Sequence, residues 1–397
     1  MNVAFESLFG GRYAGGANWL EVTLRALGAV EDPPTCLVLD DGARLPSGLE
    51  ALSHVRPVPL RDDPVAPGLA SRISRRLTGR PWEDARISEL ASTYQVDLWV
   101  GFVGFSGLGA HRSLVAWQPD FQWRHLPDLF APEEIRGRER QWSYLVDRAD
   151  GILVISQAVA EDALASHPQV ADRLHIIPFA PNIGPAVLAE DPALVRQKFN
   201  LPERFLVVSN QFWRHKNHAV VIDAVAEVIR RGHVPPVIVF TGEPYDYRQP
   251  DAFSRLLQHV QASGVHPYCR FLGLLPRPEQ VALLRASSGV IQPSFFEGRG
   301  AIAEEASTLG VRLLCSDIPI HRELELSSVE YFAPDRPCEL ARLIEQEVGP
   351  SMRAPDEILR DAGDRLHDYG VRLRELFERF ERGRGGATPL APRAASA

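Results

Sequence analysis

Cysteine is scarce in this sequence. Only four cysteines, Cys36, Cys269, Cys315 and Cys338, occur among 397 residues, and they are far apart in the chain. No two of them have the short spacing of a zinc-binding pair, and small secreted domains held by disulfides are much richer in cysteine. We therefore expect reduced, structural thiols in a cytoplasmic protein and no cysteine-based metal site.

Long apolar runs and an excess of positive charge are also missing. No run reaches the roughly 18 apolar residues that a membrane span needs. Residues 1–6 lack the basic and apolar regions of a secretory signal, so none is expected. The formal net charge of -8 argues against a protein that binds a nucleic-acid backbone, so no nucleic-acid partner is expected. A local basic patch, such as one facing a pyrophosphate, is compatible with this charge.

What the sequence does contain is an alternation of short apolar runs with polar helical segments. This alternation predicts an α/β fold, with parallel sheets covered by helices on both faces. A chain of 397 residues exceeds what one core usually holds, so two domains are expected. The predicted parts are a first domain at 1–181, a linker at 182–200, a second domain at 201–355, a helix at 356–381 and a disordered tail at 382–397.

The central pattern is a strand, a glycine-bracketed turn and a helix within residues 289–306. Gly298 and Gly300 permit backbone angles that a Cβ would forbid, and a helical pattern starts at Ile302. The N-terminus of a helix after a glycine turn is a ready anion site. Unpaired N–H groups and about half a positive charge of helix dipole converge there.

Two glutamates, Glu297 and Glu305, flank this turn. Carboxylates beside an anion site do not bind the phosphate, so we expect them to bind hydroxyl groups. Phosphate and hydroxyls held by one loop indicate a nucleotide-sugar. The alternative is that both are solvated acids of a loop and a helix start.

The order Glu297, Gly298, Arg299, Gly300, Glu305-Ala306 and Gly310 resembles the donor-binding signature of glycosyltransferase family 4. The resemblance implies the GT-B fold, in which two Rossmann-like βαβ domains face each other across a cleft. It implies that Glu297 contacts the sugar, that Glu305 contacts the ribose and that the turn between them binds the donor. Family members transfer sugar with retention and require no metal ion, so no cofactor is expected.

The first strand-to-helix loop is rich in glycine, with pairs at Gly10-Gly11 and Gly15-Gly16. Glycines let the backbone approach a phosphate closely, although such pairs are common in α/β proteins. In the family that the sequence resembles, this loop lies near the donor phosphate. Gly15 and Gly16 are therefore candidate donor-binding residues.

Residues 118–127 follow a strand that ends at Trp117, where α/β sheets present ligand-contacting loops. They are similar to a Pro-Asp-Phe-Gln-x-x-His-x-Pro segment in a subset of the same family. His125 matches a site histidine of that segment and is expected at the sugar or the reaction centre, and Asp120 is a candidate on the acceptor side. Trp123 stands where a second histidine is common. A structural histidine and a loop-capping aspartate are the alternatives.

A cluster of cations follows the predicted strand at residues 205–209. Arg214 and Lys216 precede a predicted helix with Asn217 as the expected N-cap, so their charge opposes the helix dipole and needs an anion. In the related family an arginine and a lysine of this loop neutralise the leaving pyrophosphate, and Lys216 matches the lysine. His215 and His218 have no evident third ligand, so no metal is expected.

Gln211 stands where that family has its arginine, which is a departure from the pattern. We expect Arg214 or Arg299 to supply the missing charge. Gly273 and Leu274 follow another strand and resemble the segment whose backbone contacts the nucleobase. Backbone contacts carry no side-chain identity, so the base is not readable.

Residues 55–81 are rich in proline, arginine and aspartate, and predict a long loop. Arg72, Arg75, Arg76 and Arg80 give it a basic face. A solvated helix is the ordinary explanation. The alternative is contact with an acceptor phosphate or a weak peripheral contact with an anionic membrane surface.

The residues and the family resemblance together imply a retaining glycosyltransferase, a hexosyltransferase of polysaccharide biosynthesis, with a nucleotide-sugar donor and a glycan or lipid-linked acceptor. His125, Lys216 and Glu297 are its expected catalytic residues. Lys216, an arginine and helix N-termini would stabilise the leaving nucleoside diphosphate in place of a metal ion. The alternatives are an inactive nucleotide-sugar-binding partner in polysaccharide assembly, which Gln211 and Trp123 favour, and a GT-B nucleotide-sugar epimerase.

Overall fold

The computed structural model describes residues 1–9, 14–40, 45–46, 48–59, 85–101, 113–324, 326–346, 349–350 and 353–381. These residues divide into two compact units. The first unit comprises Met1–Phe121, Pro132–Ala180 and the chain from Asp364, and the second comprises Gln122–Ala131 and Pro181–Gly363. The short segment Gln122–Ala131 belongs to the second unit, although it lies inside the predicted first domain.

Within the described ranges, the strands are β1 (Asn2–Glu6), β2 (Thr35–Asp40), β3 (Val55–Pro59), β4 (Leu98–Gly101), β5 (Leu114–Gln118), β6 (Gly151–Val154), β7 (Leu174–Ile176), β8 (Phe205–Ser209), β9 (Val237–Thr241), β10 (Cys269–Gly273), β11 (Val290–Gln292), β12 (Leu313–Ser316) and β13 (Val329–Phe332). In the first unit the sheet order is β3-β2-β1-β4-β5-β6-β7, and in the second it is β10-β9-β8-β11-β12-β13. The paired strands run parallel in both sheets, as the βα alternation predicts.

The α-helices of the described chain are α1 (Ala14–Gly28), α2 (Ala85–Thr93), α3 (Gln122–His125), α4 (Pro132–Arg148), α5 (Gln157–Ser166), α6 (Pro192–Lys198), α7 (His218–Arg230), α8 (Ala252–Ala262), α9 (Arg277–Ala286), α10 (Ala301–Thr308), α11 (Pro319–Glu323), α12 (Pro337–Glu345) and α13 (Pro355–Glu381). Short 3-10 turns occur at Pro127–Leu129, Pro168–Arg173, Arg214–Lys216 and His266–Tyr268. The predicted linker at 182–200 thus contains a helix, α6.

Two local predictions in the first unit are wrong. Gly15 and Gly16 lie in the first turn of α1 and not in the loop before it. Residues Val55–Pro59, expected within a long loop, form strand β3. This strand is at the edge of the sheet, where a missing N–H group of proline is tolerated, and it buries Val55 and Val58.

The core of each unit lies between its sheet and the covering helices. In the first unit Trp19 of α1 stacks on Trp117 of β5, with ring centroids 3.9 Å apart. In the second unit one face of the sheet packs on α7 and α12, with Val225 and Ile344 fully buried. The other face packs on α9 and α10.

Helix α13 contributes to both cores. Ile358 and Ala362 are buried in the second unit. Further along, the Tyr369 hydroxyl lies 2.8 Å from that of Thr23, within the first unit. Gly370 lets α13 pass close to α1, since an added Cβ would meet the Ala26 carbonyl oxygen.

All four cysteines are free thiols, of which Cys36, Cys269 and Cys315 are buried. Burial raises the pKa of Cys269 to about 12, so its thiol stays protonated near neutral pH. No helix of the described chain is long and apolar enough to cross a membrane. Gly10-Gly11, the basic positions Arg72, Arg75, Arg76 and Arg80 and the predicted tail at 382–397 lie outside the described residues.

Candidate active site

Polar side chains stand at the carboxyl ends of the strands in the second unit. Ser209 of β8 and Thr241 of β9 are register partners, and their hydroxyl oxygens lie 2.9 Å apart. Gln292 ends β11 and Ser316 ends β12. Because parallel strands end at one edge of a sheet, these side chains and the loops that follow them form one surface, which we call the polar edge.

Glu297 is the most heavily hydrogen-bonded carboxylate of this edge. It accepts two hydrogen bonds from Lys216 Nζ, at 2.7 and 2.8 Å, one from Gln292 Nε2 at 2.8 Å and one from Ser294 Oγ at 2.6 Å. Burial raises the pKa of this carboxyl, but Lys216 and the hydrogen bonds lower it by more. The net pKa is therefore below the ordinary value. Glu297 is therefore ionised at neutral pH and acts as a hydrogen-bond acceptor.

Two loops are tied together to bring Lys216 to Glu297. The Phe295 N–H donates to the His215 carbonyl oxygen at 2.8 Å. Asn217, in the left-handed region with φ 53°, donates its side-chain amide to the carbonyl oxygens of Pro293 and Pro334. Asn217 is the N-cap residue of α7, as predicted, but its side chain makes no capping hydrogen bond, because its amide holds the neighbouring loops instead.

The glycine turn leads into α10 as predicted. Gly300 is the N-cap, with φ +81°, a conformation that a residue with a Cβ rarely adopts. Arg299 forms a buried ion pair with Glu304 in the first turn of α10, with Nε 2.9 Å from Oε2. A phosphate at this turn would therefore share Arg299 with a carboxylate.

Glu305 is buried, and Arg277 forms an ion pair with its Oε1. Arg277 also donates to Gln280 Oε1 at 3.0 Å and to the Asn182 carbonyl oxygen at 3.1 Å. Gln280 Nε2 in turn donates to Ser209 Oγ at 2.7 Å, which joins this group to the polar edge. The other oxygen of Glu305, Oε2, is buried without a hydrogen-bond partner in the described chain, so it is an acceptor left unsatisfied.

A family model named "Glycosyl transferases group 1" matches residues 193–347, the part of the chain that holds Lys216, Glu297 and Glu305. We call this matched region the group 1 domain. The family resemblance expected from the glutamate and glycine pattern is thereby confirmed at this level. The finer assignment to family 4 and to retention stays a prediction.

Curated relatives of the chain match over about half of it. A D-inositol 3-phosphate glycosyltransferase of Corynebacterium glutamicum (strain R) is 27% identical over 180 residues, which are 44% of this chain and 42% of that protein. The chain thus spans less than half the length of this relative.

Solved structures match nearly the whole chain. A sucrose-phosphate synthase from Thermosynechococcus elongatus has a TM-score of 0.69 at 16% identity and covers 96% of this chain and 98% of its own. Anabaena HepE in complex with UDP and glucose has a TM-score of 0.68 at 18% identity and covers 95% of this chain and 99% of its own. At such low identity the likeness shows the fold, and it confirms the GT-B prediction.

The group 1 domain also contains site residues that sequence reasoning missed. Arg277 opens α9, so its charge opposes a helix dipole, the same signal that identified Lys216. His321 is fully buried beside Gly300, and its Nδ1 donates to the Ser316 carbonyl oxygen at 2.8 Å. Its Nε2 is buried and has no hydrogen-bond partner in the described ranges. Burial lowers the pKa of His321, although Glu297 raises it, so the ring is neutral at pH 7.

His125 belongs to the second unit, through α3. Its ring centroid lies 5.0 Å from that of Phe296, the neighbour of Glu297. Asp120 lies in the first unit, where its carbonyl oxygen accepts a hydrogen bond of 2.5 Å from Gln118. Gly15 and Gly16 are in the first unit as well.

The remaining candidates of the group 1 domain lie around Lys216 and at the end of β10. Gln211 is half-buried, whereas Arg214 is exposed and lines a cavity of about 860 Å³ together with Trp213. Gly273 accepts a hydrogen bond of 2.9 Å from the Gly242 N–H, which joins the ends of β9 and β10. Leu274 is 71% exposed, so an apolar surface is available beside the polar edge.

The described residues of this domain form no evident metal-binding cluster. No group of three or more histidine, cysteine, aspartate or glutamate side chains in the described chain is placed to hold a metal ion. His218 is stacked on Phe212, with ring centroids 4.7 Å apart. Burial and Lys216 lower the pKa of His218 to about 3, so it is a neutral core residue.

Proposed function

We propose that this chain is a glycosyltransferase that moves a sugar from a nucleotide-sugar donor to an acceptor with retention of the anomeric configuration. The observation that carries the proposal is the polar edge itself. The Lys216–Glu297 pair and the buried, unpaired oxygen of Glu305 accompany the N-terminus of α10. A cation and a helix N-terminus suit a diphosphate, and ionised carboxylates suit sugar hydroxyls. The group 1 family match and the UDP bound by HepE support a nucleotide-sugar as donor.

The proposed roles follow from the contacts of each residue. Glu297, held ionised by Lys216, accepts hydrogen bonds from the sugar, and Glu305 accepts one from the ribose through Oε2. Lys216 and the start of α10 stabilise the negative charge that develops on the leaving diphosphate. His125, beside Phe296, contacts the sugar or the reaction centre. The bond from the anomeric carbon to the diphosphate oxygen breaks, and the bond to the acceptor oxygen forms on the same face of the sugar, while the acceptor hydroxyl gives its proton to the leaving diphosphate.

Gln211 stands where the family has a positively charged arginine for the pyrophosphate. Three other arginines are candidates to supply this positive charge. Arg299 is adjacent to the turn but paired with Glu304, and Arg214 is exposed on the cavity beside Trp213. Arg277 is a third, since its ion pair with Glu305 already places it where we expect the ribose. We propose that no metal ion or other cofactor takes part.

The acceptor that we propose is a glycan or a lipid-linked precursor in polysaccharide biosynthesis, with Asp120 on the acceptor side and a hexose as the transferred sugar. We expect the protein to work in the cytoplasm, with at most a weak contact with an anionic membrane surface. An inactive nucleotide-sugar-binding partner is the second candidate, because Lys216 and Arg299 are both engaged by carboxylates. Such a protein would bind a donor without hydrolysing it. A GT-B epimerase would convert the donor sugar into its epimer without transfer.

The direct test is a thermal-shift screen against UDP-, GDP- and ADP-sugars, followed by NMR of the product. A bound donor raises the unfolding midpoint by mass action, and slow donor hydrolysis separates an enzyme from a pure binder. We expect the unfolding midpoint to rise with the sugars of one nucleotide class. We also expect the sugar to be released with its anomeric configuration retained. No shift with any of the donors, or an inverted product, would refute the proposal.

A further inference from the structure

Arg248 is a buried arginine in the loop that follows β9, a part of the polar edge. Its side chain is only 4% exposed, and its Nε lies 3.1 Å from Asp246 Oδ1. One terminal nitrogen donates to Gln122 Oε1 at 2.8 Å. The guanidinium carbon lies 4.6 Å from the Trp213 ring centroid.

The same guanidinium contacts both ends of the segment Gln122–Ala131, which we call the docked segment. Gln122 accepts its hydrogen bond at the start of the segment, and the Phe130 ring centroid lies 5.1 Å from the guanidinium carbon near its end. This segment belongs to the second unit, whereas the chain on either side of it belongs to the first. Arg248 is therefore a physical link between the docked segment and the rest of its unit.

His125 lies between these two fixed ends. It is the last residue of α3, which starts at Gln122, and its ring lies against Phe296. Arg248 also contacts Trp213, which precedes the turn Arg214–Lys216, and His215, which lies within it. One buried side chain thus contacts the segment that carries His125 and the loop that carries Lys216.

The chemistry of this contact requires an arginine. Its planar guanidinium offers separate N–H groups to Asp246 and Gln122 while its faces lie against aromatic rings. A lysine has a single ammonium and cannot reproduce this set. Burial of a charged pair is costly, and it does not by itself favour folding over an apolar replacement. Precise placement of a functional group therefore explains the buried Arg248–Asp246 pair better than a gain in stability does.

We propose that Arg248 is a positioning residue for the reaction, which holds the docked segment so that His125 stays beside Phe296. The proposal rests on the function proposed above for His125. It assigns no contact between Arg248 and the substrate. Arg248 would act by fixing the geometry of His125, so its loss lowers turnover and leaves donor affinity nearly unchanged.

The first experiment is hydrogen exchange on the full chain carrying Arg248→Met, with Arg255→Met as the matched control. Arg255 is on α8, is 55% exposed and pairs with the nearby residues Asp251 and Gln249. We expect amide exchange in the docked segment to rise by about tenfold or more in Arg248→Met and to stay at the wild-type level in Arg255→Met. Unchanged amide exchange of the docked segment in Arg248→Met would show that Arg248 does not hold this segment.

A second variant covers the case in which Arg248→Met fails to fold because it leaves Asp246 buried without its partner. Gln122→Leu removes the hydrogen bond to the docked segment and leaves the Arg248–Asp246 pair in place. We expect it to raise exchange in the same segment, with the exchange of β8 and β9 unchanged.

The second experiment measures hydrolysis of UDP-glucose, GDP-mannose or ADP-glucose, whichever the wild-type chain hydrolyses fastest. We expect Arg248→Met to lower kcat by about ten- to a hundred-fold, as misplacement of a reacting group does, and to change KM by less than about twofold. In a double-mutant cycle, the same change on a His125→Gln background should have little further effect, because Arg248 acts through His125.

The outcomes separate this proposal from the proposed function. If the wild-type chain hydrolyses none of the donors, the proposed function fails and the positioning role fails with it, even where exchange shows that the segment is held. If hydrolysis occurs but the losses of Arg248→Met and His125→Gln multiply, or if only KM changes, the positioning role is wrong and the proposed function stands.

Discussion

At the scale of single residues, the group that defines the candidate site is Glu297. A buried carboxylate would ordinarily be protonated more easily, yet here a lysine, an amide and a hydroxyl hold it ionised. Such a carboxylate cannot serve as a proton donor at neutral pH. It is suited to accept hydrogen bonds from the proposed donor sugar, and Lys216 lies beside it.

The pair with Lys216 gives a prediction for activity and stability together. Lys216→Ala should lower donor hydrolysis about ten- to a hundred-fold, each factor of ten being about 1.4 kcal/mol. It should also lower the free energy of unfolding by about 3–5 kcal/mol, because Glu297 is left buried without its cation. Urea denaturation and a hydrolysis assay measure the two effects.

The matched control is Lys198→Ala. Lys198 pairs with Glu279 but is 56% exposed, so its loss should cost less than about 1 kcal/mol and leave hydrolysis unchanged. Wild-type turnover in Lys216→Ala would remove Lys216 from the pyrophosphate site.

The lowered pKa of Glu297 predicts a pH dependence of stability. The folded state binds this proton more weakly than the unfolded chain, so the contribution is fully present above the unfolded pKa of 4.5 and is lost as pH falls through the lower folded-state value. The difference in free energy of unfolding, wild type minus Glu297→Gln, should therefore be larger at about pH 6 than at about pH 3. Urea denaturation at both pH values measures it, and an equal difference at both would contradict the ionised state.

Residue spacing in the sequence was enough to select Lys216, Glu297 and Glu305, because glycines, a strand end and a helix start surround them. It could not show that Arg299 is bound by Glu304 or that Arg277 is bound to Glu305. These pairings depend on rotamers and on contacts between loops, which local patterns do not encode. The amide of Asn217 is a further case, since its partners are carbonyl oxygens of two distant loops.

At the scale of elements, the βα alternation predicted most strands, and the exceptions have physical causes. Strand β3 contains two prolines, which are compatible with a strand only at a sheet edge. Strand β13 is also at an edge and is mostly half-buried, so it lacks the continuous apolar run of a central strand. The docked segment could not be assigned to the second unit from sequence, because its hydrogen bond to Arg248 spans 126 residues.

Two glycines of α13 give a matched prediction for helix packing. Gly370→Ala should cost about 1–3 kcal/mol of stability, because the new methyl group meets the Ala26 carbonyl oxygen. Gly363→Ala should stabilise the protein by about 0.4–1 kcal/mol, because it restricts the unfolded chain, and no heavy atom of the described chain lies within 4 Å of its new methyl group. Urea denaturation of the two variants measures both effects, and equal effects would show that α13 does not pass close to α1 at Gly370.

At the scale of the whole molecule, the proposed function requires that the protein's own side chains balance the charge of the diphosphate. Donor hydrolysis should therefore be unchanged after dialysis against a chelator, which strips loosely and tightly held divalent ions. The measurement is the hydrolysis rate with chelator present and again after addition of Mg²⁺ or Mn²⁺. A complete loss of donor hydrolysis in chelator, restored by added metal ion, would contradict the proposed charge balance.

The central claim is that a nucleotide-sugar binds at the polar edge of the second unit, with Glu305 on the ribose. Calorimetric titration of UDP, GDP and ADP into the wild-type chain and into Glu305→Gln tests it most directly, with Glu279→Gln as the control. We predict that one diphosphate binds the wild type and the control equally, and that its Kd rises about tenfold or more in Glu305→Gln, a loss of about 1.4 kcal/mol. An unchanged Kd in Glu305→Gln, or no binding of any of the three to the wild type, would contradict the account.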